Sequence, residues 1–149
     1  MPIQSLLSFL GRWRRASGTI YVLRSLSDHP FVAQHRALVH KIGVTGGDVH
    51  ARIAGAAHDA TYLLADVEIV ATYQLANIRR TRLENLLHRL FAPAQIELTL
   101  QDRFGHAVKP REWFLVPLAV IDQAVRAIEG GSVTRLRYDP ASAALLPVD

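Results

Sequence analysis

Two β-rich runs and the turn that follows them constrain the fold more than any other part of the chain. The runs cover residues 18–23 and 38–44, and a Thr-Gly-Gly-Asp turn then leads into a segment with apolar residues at helical spacing. β-branched and aromatic residues dominate both runs, which is typical of strands. We therefore predict two antiparallel strands followed by a helix that has Asp48 as its N-cap.

Side-chain alternation along these strands predicts a polar surface. Tyr21 lies on one face of the first strand, and Lys41 and Gly43 share one face of the second. If the strands pair so that Tyr21 and Lys41 face the same way, a phenol, an ammonium and an empty glycine position line one shallow surface. Arg52, on the following helix, would overhang it. Such groups bind phosphate more readily than they fill a core.

The remaining pattern predicts an α/β (α+β) domain with a small antiparallel sheet flanked by helices. Residues 25–36 lack periodicity and are predicted to form a loop. A leucine stripe predicts a strong helix that Asn77 or Thr81 opens and that Pro93 ends. The further predicted elements are a central third strand (67–73), the leucine-rich helix (79–91), a short strand (114–116) and a helix (118–128) that Gly130 closes.

The domain organisation follows from these elements as three segments. Residues 1–17 are predicted to form an N-terminal amphipathic helix, residues 18–131 the main domain, and residues 132–149 an edge strand and a tail. The first segment places its charge after its apolar part, the reverse of a secretory signal, and is too short to span a bilayer. We expect no stable membrane insertion, and expect this helix to pack on its own domain, on a second copy or on a protein partner.

Composition favours a cytoplasmic protein with an anionic partner. The 149 residues include no cysteine, which excludes disulfides and thiolate zinc sites and fits a reducing compartment. Lys plus Arg outnumber Asp plus Glu by 17 to 13, and Lys41 and Lys109 are the only lysines. Because arginine binds phosphate with two parallel hydrogen bonds, this bias favours nucleic acid.

Glu84 is the acidic residue that most needs an explanation. It lies at the border of the leucine stripe, with Leu87 and His88 as its i+3 and i+4 neighbours. A carboxylate held against an apolar surface is costly unless it has a partner. An arginine such as Arg80, the His88 ring or a metal ion could serve, and the pattern leaves these alternatives open.

The order of Tyr21, Lys41-Ile42-Gly43, Arg52 and Glu84 resembles the GIY-YIG nuclease superfamily. Leu83-Glu84 with His88, followed by Glu112-Trp113-Phe114, resembles a branch with a "KIG" second motif and an "LExxLH…EWF" pattern. The resemblance covers about residues 18–128 and implies a small three-stranded antiparallel sheet. Lys41 stands where many members have tyrosine. We interpret Glu112-Trp113-Phe114 as packing that supports the site, with Trp113 in the core.

This resemblance implies an endonuclease that hydrolyses phosphodiester bonds in DNA, with RNA left open as a substrate. Tyr21 would act as general base or position the water, with Lys41 stabilising its phenolate. Arg52 would bind the scissile phosphate, and Glu84 would be the single protein ligand of Mg²⁺, for which Mn²⁺ could substitute. The predicted supporting residues are His58, Tyr62 and His88. The predicted nucleic-acid contacts are Arg24, Arg36, Arg52 and Arg80.

Two alternatives stay open for functions of other classes, and a third concerns a single residue. The same fold could be a catalytically inactive module that binds nucleic acid or another protein. A membrane-surface protein driven by residues 3–15 is a more distant alternative. For Lys41 itself, the alternative to a site residue is an ordinary solvated lysine on a strand.

Overall fold

A four-stranded antiparallel sheet forms the centre of the protein. The computed structural model describes residues 16–76, 78–101 and 104–148, with side chains from Gly18 onward. The strands are β1 (Ala16–Ser25), β2 (Val39–Thr45), β3 (Val67–Ala76), β4 (Leu100–Gln101), β5 (Ala107–Val108), β6 (Trp113–Leu115), β7 (Leu136–Asp139) and β8 (Ala144–Pro147). The α-helices are α1 (Pro30–Gln34), α2 (Val49–Ile53), α3 (Arg80–Phe91) and α4 (Leu118–Glu129).

The sheet has the strand order β3-β1-β2-β6. The mixed α/β class is confirmed, but the predicted number of three strands is too small, because the short run near residue 114 joins the sheet as its fourth strand. The prediction that the third strand is central is also wrong. β3 is an edge strand, and most of its side chains are half-buried or exposed. Its apolar residues therefore reflect β-propensity as well as burial.

The register of β1 and β2 confirms the predicted shared face. Tyr21 pairs with Gly43, and Leu23 pairs with Lys41, in the antiparallel ladder. Directly opposed residues point to the same side of a sheet, so the phenol and the ammonium share one face. A Cβ on Gly43 would lie 2.3 Å from Cζ of Tyr21. The tyrosine ring thus fills the space that any other residue at position 43 would need.

Helices α3 and α4 cover the opposite face of the sheet with apolar side chains. Ile20, Val22 and Ile42 project from the central strands into this core. The predicted leucine stripe of α3 is confirmed, since Leu83 and Leu87 are fully buried there. Each such side chain contributes about 1.5–3 kcal/mol by leaving water. This layer holds α3 against β2 and so determines where Glu84 and His88 lie.

Helix starts and ends agree only in part with the predictions. Asp48 is the N-cap of α2, and its carboxylate accepts a hydrogen bond from the His50 amide at 3.0 Å. The helix is short, however, and residues 56–58 and 60–62 form 3-10 turns after Gly55, which has a φ of 78°. α3 has Arg79 as its N-cap, with no capping hydrogen bond from its side chain. Thr81 lies inside the helix, and Asn77 is outside the described residues.

The two ends of the chain and the predicted loop complete the comparison. The predicted amphipathic helix falls on residues 1–15, outside the described part, whereas β1 already begins at Ala16. The predicted loop at residues 25–36 contains α1, and the C-terminal segment forms the β7-β8 hairpin instead of one strand and an extended tail. Within the described ranges, no helix combines the length and the hydrophobicity needed to span a membrane.

Candidate active site

Tyr21 and Arg52 form one side of the candidate site. Tyr21 is only 1% exposed, with its ring lying over Gly43, whereas Arg52 is exposed on α2. Burial raises the pKa of the Tyr21 phenol, and the Arg52 guanidinium, which hydrogen-bonds with the hydroxyl, opposes that rise. The same contact raises the pKa of Arg52. The prediction that Lys41 supplies the cation beside the phenol is wrong, because Arg52 occupies that place.

Lys41 is a buried residue whose charge is neutralised by the carboxylate of Glu112. It is 1% exposed and forms an ion pair with Glu112, which directly precedes β6. Burial lowers the pKa of Lys41, and the Glu112 carboxylate opposes that change. The ammonium also lies 5.2 Å from the ring centroid of Tyr62. The alternative of a solvated strand lysine is therefore wrong.

Glu84 and Glu112 interact directly although they lie on different elements. Burial raises the pKa of Glu84, and its hydrogen bond with Glu112 raises it further. Burial acts in the same direction on Glu112, but the adjacent Lys41 ammonium outweighs it and lowers the pKa of this carboxyl. Of the two groups, Glu84 thus takes up a proton more readily. Its neighbours are Glu112, His88 and Lys41, so the ion pair with Arg80 that the sequence left open is not formed.

His88 completes a cluster of three side chains whose chemical types can bind a metal ion. Its Nε2 lies 2.7 Å from the Ile42 carbonyl oxygen. Because a carbonyl only accepts, Nε2 carries the proton and Nδ1 is the nitrogen that a neutral ring offers to a metal ion. Donor atoms of Glu84, His88 and Glu112 all lie within 4.8 Å of one another. Bonds of about 2.1 Å place opposite ligands ~4.2 Å apart, so small side-chain adjustments let this set hold one divalent cation.

Of the predicted supporting residues, Tyr62 and His88 lie at the site and His58 does not. The Tyr62 hydroxyl donates to the Arg52 carbonyl oxygen at 2.9 Å and so connects the 3-10 segment to α2. Burial and the neighbouring Tyr21 raise the pKa of Tyr62 to about 12. His58 is exposed and lines a separate cavity with Asp59 and residues 104 and 108.

Two of the four predicted nucleic-acid contacts lie away from this face. Arg24 is adjacent to Leu23 in β1, so alternation directs it to the opposite side, where it pairs in register with His40 and Glu68. Arg36 donates to the carbonyl oxygens of Ser25 and Ser27 and thereby fastens the segment around α1. Arg52 and Arg80, in contrast, are both exposed: Arg52 lies beside Tyr21, and Arg80 lies against Gly18 and Gly46 at the end of β1 and the turn after β2.

Glu112 is the site residue that sequence reasoning missed. The interpretation of residues 112–114 as packing is right for Trp113: it is fully buried, and its Nε1 donates to the Thr61 carbonyl oxygen at 2.8 Å. It is wrong for Glu112. A signal did exist, because a lysine on the buried side of a strand needs a carboxylate. Glu112 directly precedes an apolar strand that could pair beside Lys41.

The comparison with protein families now assigns the chain. The family model of the T5orf172 domain matches residues 18–129, which is most of the chain. The chain belongs to the T5orf172 domain family. The assignment to the GIY-YIG superfamily from four short motifs is corrected by this match, because the T5orf172 domain is a different family. T5orf172 domains occur in nuclease-like and DNA-binding contexts.

Comparison with individual proteins gives one informative relative. The uncharacterized protein YeeC of Bacillus subtilis (strain 168) is 39% identical over 117 residues, which cover 76% of this chain and 30% of YeeC. The chain thus spans about 30% of the length of the relative that it matches. No solved structure matches the chain.

Proposed function

We propose that this T5orf172 domain hydrolyses phosphodiester bonds in DNA with the help of a divalent metal ion. One observation carries the proposal: a phenol with an adjacent guanidinium and a cluster of two carboxylates and an imidazole meet at Glu112, whose carboxylate interacts with Tyr21 and Arg52 as well as with Glu84 and His88. The first pair can position water and phosphate, and the cluster can bind the metal ion. The family context of nuclease-like and DNA-binding proteins supports the same reaction class.

Arg52 and Tyr21 act on the phosphate and on the attacking water. The exposed guanidinium binds the scissile phosphate and stabilises the charge that develops on its oxygens. The Tyr21 hydroxyl positions the water and accepts its proton, and Arg52 stabilises the phenolate form. Because burial raises the pKa of this phenol, the basic form is scarce at neutral pH. The cleavage rate should therefore rise with pH up to at least pH 9.

Glu84, His88 and Glu112 would hold the metal ion, with Mg²⁺ or Mn²⁺ as the expected cations. When bound, such an ion relieves charge on the phosphate and assists the leaving oxygen. The protein's own part is to keep the ligands ready. The Ile42 carbonyl fixes the His88 ring, and the Lys41 ammonium keeps Glu112 ionised. Lys41 is thus a positioning residue that acts through Glu112.

Nicking of supercoiled plasmid DNA tests this proposal. Wild-type protein with Mg²⁺ or Mn²⁺ should convert supercoiled to open-circular DNA, and EDTA should stop the reaction. Tyr21→Phe and Glu84→Gln should each lower the rate about 10²–10³-fold. Tyr73→Phe, which alters a phenol on the helix-covered face, and Glu97→Gln, which alters an exposed carboxylate, are the matched controls. Equal nicking by all variants would point to a contaminant and refute the proposal.

The second candidate is a DNA-binding module that does not cleave. The Lys41–Glu112 ion pair favours it, because an ammonium already neutralises one of the two carboxylates that a metal ion would use. This module would bind plasmid DNA without nicking it in either metal ion, and Glu84→Gln would leave the affinity unchanged. Metal-dependent nicking that Glu84→Gln abolishes excludes this candidate.

A further inference from the structure

Helix α3 begins with positive charge where positive charge is unfavourable. Arg79, Arg80 and Arg82 lie at its start, all exposed, and its first turn contains no acidic residue. A helix N-terminus already carries a positive partial charge, so cations there lower stability. The Arg79 side chain makes no capping hydrogen bond either. The arrangement costs stability unless an anion binds to it.

Arg80 differs from its neighbours because two glycines form a seat for its side chain. A Cβ on Gly18 would lie 2.6 Å from Cγ of Arg80, and a Cβ on Gly46 would lie 2.3 Å from its Nη1. The stem of the arginine thus lies flat on the end of β1, and its guanidinium lies on the turn after β2. Among the described residues, no carboxylate forms an ion pair with this guanidinium. The stem of the arginine is therefore packed against the sheet, and the donors of its guanidinium are available.

The position of Arg80 relative to the candidate active site is fixed by α3. Arg80, Glu84 and His88 follow one another at i, i+4 spacing and lie on one side of the helix. Four residues advance the helix by about 6 Å. Consecutive nucleotides of a DNA strand advance by about 3.4 Å along the axis. A strand with its scissile phosphate at the site therefore carries another phosphate within reach of Arg80.

We propose that Arg80, seated on Gly18 and Gly46, binds a second backbone phosphate of duplex DNA beside the scissile one. The inference rests on the proposed function only for the location of the scissile phosphate. A guanidinium that is held in advance loses less freedom on binding than a mobile side chain. Gly46 is part of this phosphate subsite, because any side chain there displaces the guanidinium.

Binding of a fluorescent DNA duplex in EDTA, measured by polarisation over a series of KCl concentrations, tests the subsite. Arg80→Ala should weaken binding about tenfold at low salt and reduce the slope of log K against log [salt] by about one. Arg80→Lys should restore the slope but only part of the affinity. Arg82→Ala is the matched control, because it removes the same charge from the same helix on the side of the cavity lined by Ile128 and Glu129.

Gly46→Ala tests the position of the Arg80 guanidinium without removing its charge. The variant keeps every arginine, and alanine does not strain the backbone because residue 46 does not have a left-handed φ. Its methyl group nevertheless collides with the Arg80 guanidinium. It should weaken binding in the same direction as Arg80→Ala, with thermal unfolding confirming that both variants fold.

Equal losses in Arg80→Ala and Arg82→Ala, or wild-type binding by Gly46→Ala, would overturn the seated subsite. Because EDTA removes the metal ion, DNA binding is measured in the absence of cleavage. An effect of Arg80→Ala on binding, together with no nicking of plasmid DNA, therefore contradicts only the proposed function. Nicking without an Arg80 effect on binding contradicts only this inference.

Discussion

The two faces of the central sheet are both buried, but they are held together by different forces. On the face covered by α3 and α4, the core consists of apolar side chains such as Val22, Leu87 and Phe91. On the other face, the phenol of Tyr21 and the ammonium of Lys41 are equally buried, and each depends on a polar partner. The first face is sensitive to volume. The second is sensitive to charge, because a buried polar group without its partner keeps its full desolvation cost.

Truncation in the apolar layer should have the largest effect on stability. Phe91→Ala removes a fully buried ring that lies against Phe114 and Tyr138. We expect a loss of about 3–5 kcal/mol in the free energy of unfolding, from lost burial and the remaining cavity. Urea unfolding at several salt concentrations measures it. A loss that varied strongly with salt would contradict the apolar character of the packing around Phe91.

Removal of the partner of Lys41 should have the next largest effect. Glu112→Ala leaves a buried ammonium, and we expect a loss of about 2–3 kcal/mol, below the range for fully buried pairs because the Glu112 side chain is 28% exposed. The double variant with Lys41→Met should recover most of it. A double-mutant cycle with chemical denaturation provides the measurement, and additive losses would show that the pair does not stabilise the fold.

Substitution of the glycine beneath Tyr21 should have a smaller effect on stability. Gly43→Ala places a methyl group 2.3 Å from Cζ of the ring, so the ring must move. We expect a loss of about 1–3 kcal/mol, typical of overpacking. Because the hydroxyl leaves Arg52, plasmid nicking should fall more than stability alone explains. Gly130→Ala, at a position with more space, is the control.

The smallest effect should be a loss of stability in mild acid that comes from one residue of the apolar face. His40 is fully buried, its Nε2 has no partner among the described residues, and burial lowers its pKa. The unfolded chain, with an ordinary pKa near 6.5, therefore binds more protons than the folded one as pH falls below that value. The free energy of unfolding should therefore show no loss from His40 above pH 6.5 and should decrease as the pH falls below that value. His40→Phe should flatten the decline between pH 5 and 6.5 in thermal unfolding, and an unchanged decline would contradict this assignment.

Local patterns predicted those parts of the fold that local physics determines. Alternation placed Tyr21, Lys41 and Gly43 on one face, and the capping preference of aspartate identified the start of α2. The leucine stripe predicted α3 because a 3.6-residue period is visible within one segment. For the same reason the sequence alone identifies Glu84 and His88 as neighbours.

Long-range pairing explains what could not be predicted. β6 has three residues, too few to show alternation, and its place beside β2 depends on hydrogen bonds between residues about 70 positions apart. Glu112 therefore could not be connected with Lys41 from spacing alone. The edge position of β3 was likewise hidden, since strand order depends on the whole chain. Arg52 replaced Lys41 beside the phenol because the direction of a long side chain does not follow from its strand register.

The separation between Lys41 and Glu112 has a consequence for synthesis of the protein. During translation the lysine emerges long before the carboxylate that neutralises it, 71 positions later in the chain. Until residue 112 has left the ribosome, β2 can bury its ammonium only at a considerable cost in free energy. We therefore expect the complete sheet and the site to form only after residue 112 has emerged.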